Sequence, residues 1–223
     1  MRAEYAERAR QLDKTDRYSL FNLAQLFSIQ QRQCAILRML RKYGFTDSAG
    51  LKILEMGCGG GGVLVEFLNV GASPGNLYGV DLLSDRLVHA HQRLPGSCLI
   101  NADGQLLPFS SQSFDLVMQF TALSSLLDPD ISGNVCRDML RVLRTSGLIL
   151  WYDFWLNPTN PQTRGIRPAE IRRLFPNCMY EFHKITLAPP IARRIVPVSW
   201  ILALLLEKQK VFNSHYLVAI RPR

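Results

Sequence analysis

The residues best suited to chemistry lie between positions 53 and 120. In ILEMGCGGGGVL (53–64), Glu55 stands just before a run of glycines, Gly57 and Gly59 to Gly62, interrupted only by Cys58. Glycines in such a turn permit positive φ and let the backbone come close to a ligand. A helix opening just after them offers unpaired N–H groups to that ligand. Asp81 follows 24 residues after Gly57, and Asp103 later in NADGQLLPF. A carboxylate at the first position can accept hydrogen bonds from both hydroxyls of a ribose. At the second, Asp103 or the adjacent amide of Gly104 could read an adenine edge, with Leu82 and Leu106 packing its faces. A glycine-rich turn alone is weak evidence, because dinucleotide-binding enzymes carry a similar loop.

These residues need strands that end and helices that begin beside them. Apolar runs and changes of period predict strands over 51–57, 76–83, 97–103, 114–120 and 147–154. Helices are predicted over 3–14, 18–43, 61–70, 84–93 and 130–144, with Gly44 as a stop. Alternation of this kind implies right-handed crossovers and a mostly parallel sheet covered on both faces. The C-terminal part reads as a short helix (167–176), a strand (179–189), a helix (191–209, with Pro197 near its start or at a kink) and a last strand (215–223).

From Leu51 to Phe154 the sequence resembles the class I S-adenosylmethionine (SAM)-dependent methyltransferases, most closely the type 11 group. The elements that carry the resemblance are E-x-G-C-G, Asp81, NADGQLLPF, FDLVMQF and MLRVLRTSGLILWYDF, in that order. Arg144–Thr145–Ser146–Gly147 departs from the family's Arg/Lys-Pro-Gly-Gly turn but keeps a glycine. The resemblance implies an α/β, Rossmann-like sheet of seven strands in the order 3-2-1-4-5-7-6, the last strand antiparallel, with helices on both faces and an N-terminal helical lid. Residues 1–45 would form that lid, packed on the core, and 46–223 a single methyltransferase domain. SAM would be the cofactor. Glu55, Gly57, Cys58, Gly59 and Gly61 would cradle its methionine part, with Gln119 nearby. Asp81 would hold the ribose, and Leu82, Asp103 and Gly104 the adenine.

The implied reaction is methyl transfer, to an oxygen of a small-molecule, sugar or lipid-linked glycan acceptor, achieved mainly by positioning and water exclusion. Asp153 and Tyr18 are the catalytic candidates. Arg17, Thr121, Ser124, Ser125 and Asn157 are further pocket residues. The alternatives are an RNA methyltransferase and a SAM-fold protein without turnover. No pair of histidines has metal-ligand spacing, so no metal is expected. His89, His91 and His183 read as surface or sheet residues, and His215 as the opening of the last strand.

The 223 residues are 48% hydrophobic, which excludes a disordered chain, and carry a net charge of +8. The whole excess belongs to residues 164–223, with 11 basic against three acidic side chains. Such a field suits an acidic or phosphorylated acceptor, gripped by arginines such as Arg164, Arg167, Arg172, Arg173, Arg193 and Arg194. Nucleic acid ranks lower, because no N-P-P-Y-like loop follows the fourth strand. IVPVSWILALLL (195–206) is apolar all round and is expected to be a core helix. A dimer face, or peripheral membrane contact through 191–210, is the alternative. A charged N-terminus, five scattered cysteines and no long apolar run lead to the expectation of a cytoplasmic protein with reduced thiols.

Overall fold

A computed structural model describes residues 19–156 and 163–223. Its elements run α1 (Leu23–Lys42), β1 (Ile53–Met56), α2 (Gly62–Asn69), β2 (Leu77–Asp81), α3 (Ser84–Arg93), β3 (Cys98–Asn101), β4 (Phe114–Phe120), α4 (Pro129–Val142) and β5 (Leu143–Phe154). They continue with α5 (Pro168–Leu174), β6 (Cys178–Leu187), α6 (Pro189–Ile195), α7 (Trp200–Lys208) and β7 (Asn213–Pro222). The predicted helix over 3–14 lies outside the described residues.

The strands form one mixed sheet in the order β3-β2-β1-β4-β5-β7-β6, as the family resemblance implied. β1 pairs in parallel with both β2 and β4, and all four of its residues are buried. This explains why β1 reads as apolar on both faces, with Glu55 its one polar residue, rather than as an alternating strand. β3 lies at the edge and is partly exposed. Register sets Met56 opposite Val80 and Gln119, Asp81 opposite Asn101, and Phe120 opposite Tyr152. The carboxyl ends of five strands therefore share one edge.

Chain packing separates two compact units. One comprises residues 40–183 and 216–223, the other residues 1–39 and 184–215. The core of the first includes Leu54, Val80, Val117, Ile149, Trp151 and Val218. In the second, Phe27 of α1 sits edge-on to Trp200 at 5.0 Å, among Ala24, Leu187, Ala192, Val196 and Ala203.

Several boundaries differ from those expected. α1 starts at Leu23 rather than at residue 18, because the Asn22 side chain accepts the amides of Ala24 and Gln25 and caps it. β5 begins four residues early, its pairing with β4 continuing through a bulge. The single helix expected over 191–209 is two. Pro197 has no N–H to continue α6, and the Ser199 hydroxyl accepts the Leu202 amide to start α7. His215 lies within β7 and is buried, and burial with nearby Arg32 lowers its pKa to about 3. Of the cysteines, Cys58, Cys136 and Cys178 are buried, whereas Cys34 and Cys98 are exposed.

The loop after β3 is tied to α4 by one carboxylate. Asp138 accepts the Leu107 amide at 2.6 Å and the Arg141 side chain at 2.6 and 2.9 Å. Arg141 also donates to the carbonyls of Leu107 and Phe109. Burial pushes the Asp138 pKa up, but the Arg141 and Leu107 hydrogen bonds outweigh it and leave it below the usual range. Asp138→Ala should cost about 2–3 kcal/mol in urea denaturation, since it orphans a buried amide and an arginine. The wild-type contribution should be present above the unfolded carboxylate pKa and fade as pH falls through the lower folded one. The variant's stability should change less over that acid range.

Candidate functional site

The glycine loop leaves β1 and enters α2 through three left-handed residues, with φ of 71° at Gly57, 53° at Gly59 and 74° at Gly61. Two of these positions also lack space. A Cβ on Gly57 would stand 2.6 Å from the Ala122 Cβ, and one on Gly61 would stand 2.5 Å from Leu94 Cδ1. The loop is thus wedged between the turn after β4 and the end of α3. Gly60 differs, because a Cβ there would meet nothing within 4 Å. A side chain at Gly60 would therefore have room, while the Gly60 carbonyl accepts the Arg93 side chain at 3.2 Å.

Asp81 sets the loop's shape. Only 7% exposed at the end of β2, its carboxylate accepts the Gly59 amide at 2.8 Å and the Leu83 amide at 2.9 Å. Each oxygen keeps a further lone pair for a ligand hydroxyl. Glu55 is also buried. Cys58 lies against β2, where a Cβ on Gly79 would come within 2.7 Å of its Sγ. Burial, with Glu55 and Asp81 nearby, pushes its thiol far up, so it stays protonated. Cys58 can therefore offer a ligand its backbone, not a thiolate nucleophile.

Asp103 follows from the same edge. The Asp81 carbonyl accepts the Asn101 side chain at 2.9 Å and the Ala102 amide at 3.2 Å, which brings the chain after β3 alongside β2. The exposed Asp103 carboxylate is oriented by the Gln105 amide and side chain at 2.9 and 3.0 Å. Gly104 lies close over Met56, and Leu106 is 76% exposed. Leu82 is half-buried. The glycine loop, Asp81 and Asp103 thus converge on one end of the sheet.

Past β4 a second polar cluster forms. Gln119 is fully buried, and its side-chain carbonyl accepts the amides of Ala122 and Leu123. Asp153, 1% exposed, accepts the Ser124 amide at 2.9 Å and the Phe154 amide at 2.8 Å. Burial raises its pKa to about 6, against the hydrogen bonds from Ser124, Phe154 and Gln119. Sequence reasoning missed two features here. Thr121 has φ of 56°, a left-handed conformation uncommon for a β-branched residue. The Arg164 amide donates to the Ser124 carbonyl, while its side chain grips Glu170 at 2.8 and 2.5 Å. The only sequence signal was a pair of opposite charges six residues apart.

Arg164 is therefore occupied rather than waiting for an acidic acceptor, and Arg172 lies 5.0 Å from the rings of both Tyr180 and Phe182. Arg17, Tyr18 and Asn157 fall outside the described residues. Among the described residues no cluster of three or more His, Cys, Asp or Glu could hold a metal ion.

Residues 53–147 match the family model of a methyltransferase domain. Over that stretch, from β1 into β5, the chain is similar to methyltransferase domains. It is 33% identical over 116 residues to a phthiotriol/phenolphthiotriol dimycocerosates methyltransferase of Mycobacterium ulcerans, a match covering 51% of this chain and 41% of that one. It is 34% identical over 109 residues to a fatty-acid O-methyltransferase of Mycolicibacterium smegmatis, covering 48% and 38%. The matches thus span less than half the length of these curated relatives. The PH0226 protein of Pyrococcus horikoshii shares the fold, with a TM-score of 0.65 at 17% identity over 96% of this chain and 99% of that one.

The glycine loop gives a direct test. Gly57→Ala should lower stability by about 2–4 kcal/mol, combining a left-handed alanine with overpacking against Ala122. Gly60→Ala should stay within about 0.5 kcal/mol, because its Cβ meets nothing. Urea denaturation of both variants separates the two positions.

Proposed function

We propose that this protein transfers a methyl group from SAM to an oxygen of a small, lipid-like acceptor. The observation that carries this reading is Asp81, whose carboxylate accepts the Gly59 and Leu83 amides at the end of β2, beside the glycine loop. The residues present fit an adenosyl ligand. Three left-handed glycines leave the loop without side-chain cover, a carboxylate waits at the end of β2, and an exposed leucine and carboxylate follow β3. Asp81 would hold the ribose hydroxyls. Asp103, the Gly104 amide, Leu82 and Leu106 would hold the adenine. Glu55 and the backbone of Gly57, Cys58, Gly59 and Gly61 would hold the methionine part, with Gln119 bracing the turn beside it.

When bound, SAM supplies a methyl group already activated on a positively charged sulfur. What remains for the chain is to hold an acceptor oxygen in line and keep water out. A carboxylic acid is already ionised at neutral pH and needs no base. A hydroxyl does, and Asp153 supports that role: a buried carboxylate with a pKa of about 6 is ionised at neutral pH yet basic enough to take a proton. The lipid acceptor class rests on the two mycobacterial relatives, whose names specify dimycocerosates and fatty acids.

Calorimetry with SAM and with its demethylated product tests the cofactor assignment. Both should bind, and Asp81→Asn should weaken binding about 10- to 100-fold, whereas Asp153→Asn should change it less than about threefold. No binding at roughly millimolar ligand would sink the reading.

Radiolabelled methyl transfer to fatty acids and hydroxylated lipids tests the acceptor. With a hydroxyl acceptor, the rate should climb with pH through about 6 and then level, as Asp153 loses its proton. Asp153→Asn should lose that rise. Unchanged pH dependence in the variant would remove Asp153 from the chemistry.

A further inference from the structure

α7 was expected to be a core helix, but it buries only one side. Ala203 and Glu207 face inward, while Ile201 is 71% exposed, Leu205 54% and Leu202 43%. At 100° per residue these three fall on one arc, opposite Ala203 and Glu207. Val198, just before the helix, is 82% exposed, and Val211, just after it, 76%. A continuous apolar surface of this kind on a water-soluble domain marks an interaction site.

Its border is cationic. Arg193 and Arg194 precede the patch, and Lys208 and Lys210 follow it, all four exposed. Among the described residues of this unit, 19–39 and 184–215, the sequence holds a single carboxylate, Glu207. That carboxylate is buried and accepts the Thr186 amide at 3.0 Å. Lys208 lies on the flank of α7 between the apolar arc and a cavity of about 210 Å³. Arg38, Lys208 and Lys210 line that cavity together with Gln31 and Glu207. No described helix is long and apolar enough to cross a membrane, so an apolar arc rimmed by cations suits a helix lying in the plane of a bilayer surface.

We propose that this unit docks on an anionic membrane surface, inserting the Val198–Leu205 arc among the acyl chains while Arg193, Arg194, Lys208 and Lys210 meet lipid phosphates. Charge complementarity selects this occupant over a second copy of the chain, whose matching unit would present the same positive rim. The proposal is independent of the methyl-transfer reading.

Co-sedimentation with vesicles tests it. The intact chain should partition onto phosphatidylcholine vesicles containing phosphatidylglycerol, at least about tenfold more strongly than onto phosphatidylcholine alone, and lose that advantage as salt rises. The Lys208→Glu/Lys210→Glu variant should bind the anionic vesicles at least about tenfold more weakly. Ile201→Glu/Leu205→Glu should do the same, with Ile201→Ser as a milder change, and circular dichroism should report an intact fold because these positions are exposed. Absence of binding to anionic vesicles would overturn the proposal, as would variants that bind like the wild type. A concentration-dependent dimer in sedimentation equilibrium, abolished by the same apolar substitutions without any vesicle binding, would assign the face to a second copy instead.

Discussion

One buried carboxylate governs the shape of this site. Asp81 closes the end of β2 by taking the Gly59 amide on one oxygen and the Leu83 amide on the other. A glycine loop with three left-handed residues has many conformations open to it in the unfolded chain. Fixing it costs entropy, and the hydrogen bonds to the Asp81 side chain offset part of that cost. In the proposed function the remaining lone pairs of the same carboxylate would take the ribose hydroxyls, so that one side chain would serve both loop geometry and binding.

The device repeats along the carboxyl edge. Asp138 takes the Leu107 amide and so fixes the loop that carries Asp103 and Leu106. Asp153 takes the Ser124 and Phe154 amides and so fixes the turn after β4, which in turn blocks any side chain at Gly57. Loops cannot pair their amides as strands do, and buried amides must find acceptors. Three aspartates supply them. Their environments differ: the Arg141 and Leu107 hydrogen bonds hold Asp138 below the usual carboxylate range, whereas burial carries the Asp153 pKa up to about 6. That contrast separates a brace from a group able to exchange a proton near neutral pH.

The second unit follows a different logic. α7 is apolar from Trp200 to Leu206, yet its neighbours cover only the side of Ala203 and Glu207. What is left over is an exposed apolar arc rimmed by lysines and arginines. A domain that recognises an apolar acceptor gains if it is held where that acceptor is concentrated.

The glycine loop, Asp81 and the alternation of strands and helices were legible in the chain, because each depends on local chemistry: positive φ favours glycine, and buried parallel strands are rich in apolar residues on both faces; the strand order was legible only through family resemblance. The left-handed Thr121, the clasp of Asp153 on Ser124 and the engagement of Arg164 by Glu170 were not legible, since no local pattern says which distant groups a fold brings within 3 Å. Nor could composition tell that 195–206 would break at Pro197 and leave its second half exposed. Residue types state what a segment would bury if it could. Only the packed neighbours decide how much of it is buried, and that remainder is where this protein's least expected surface lies.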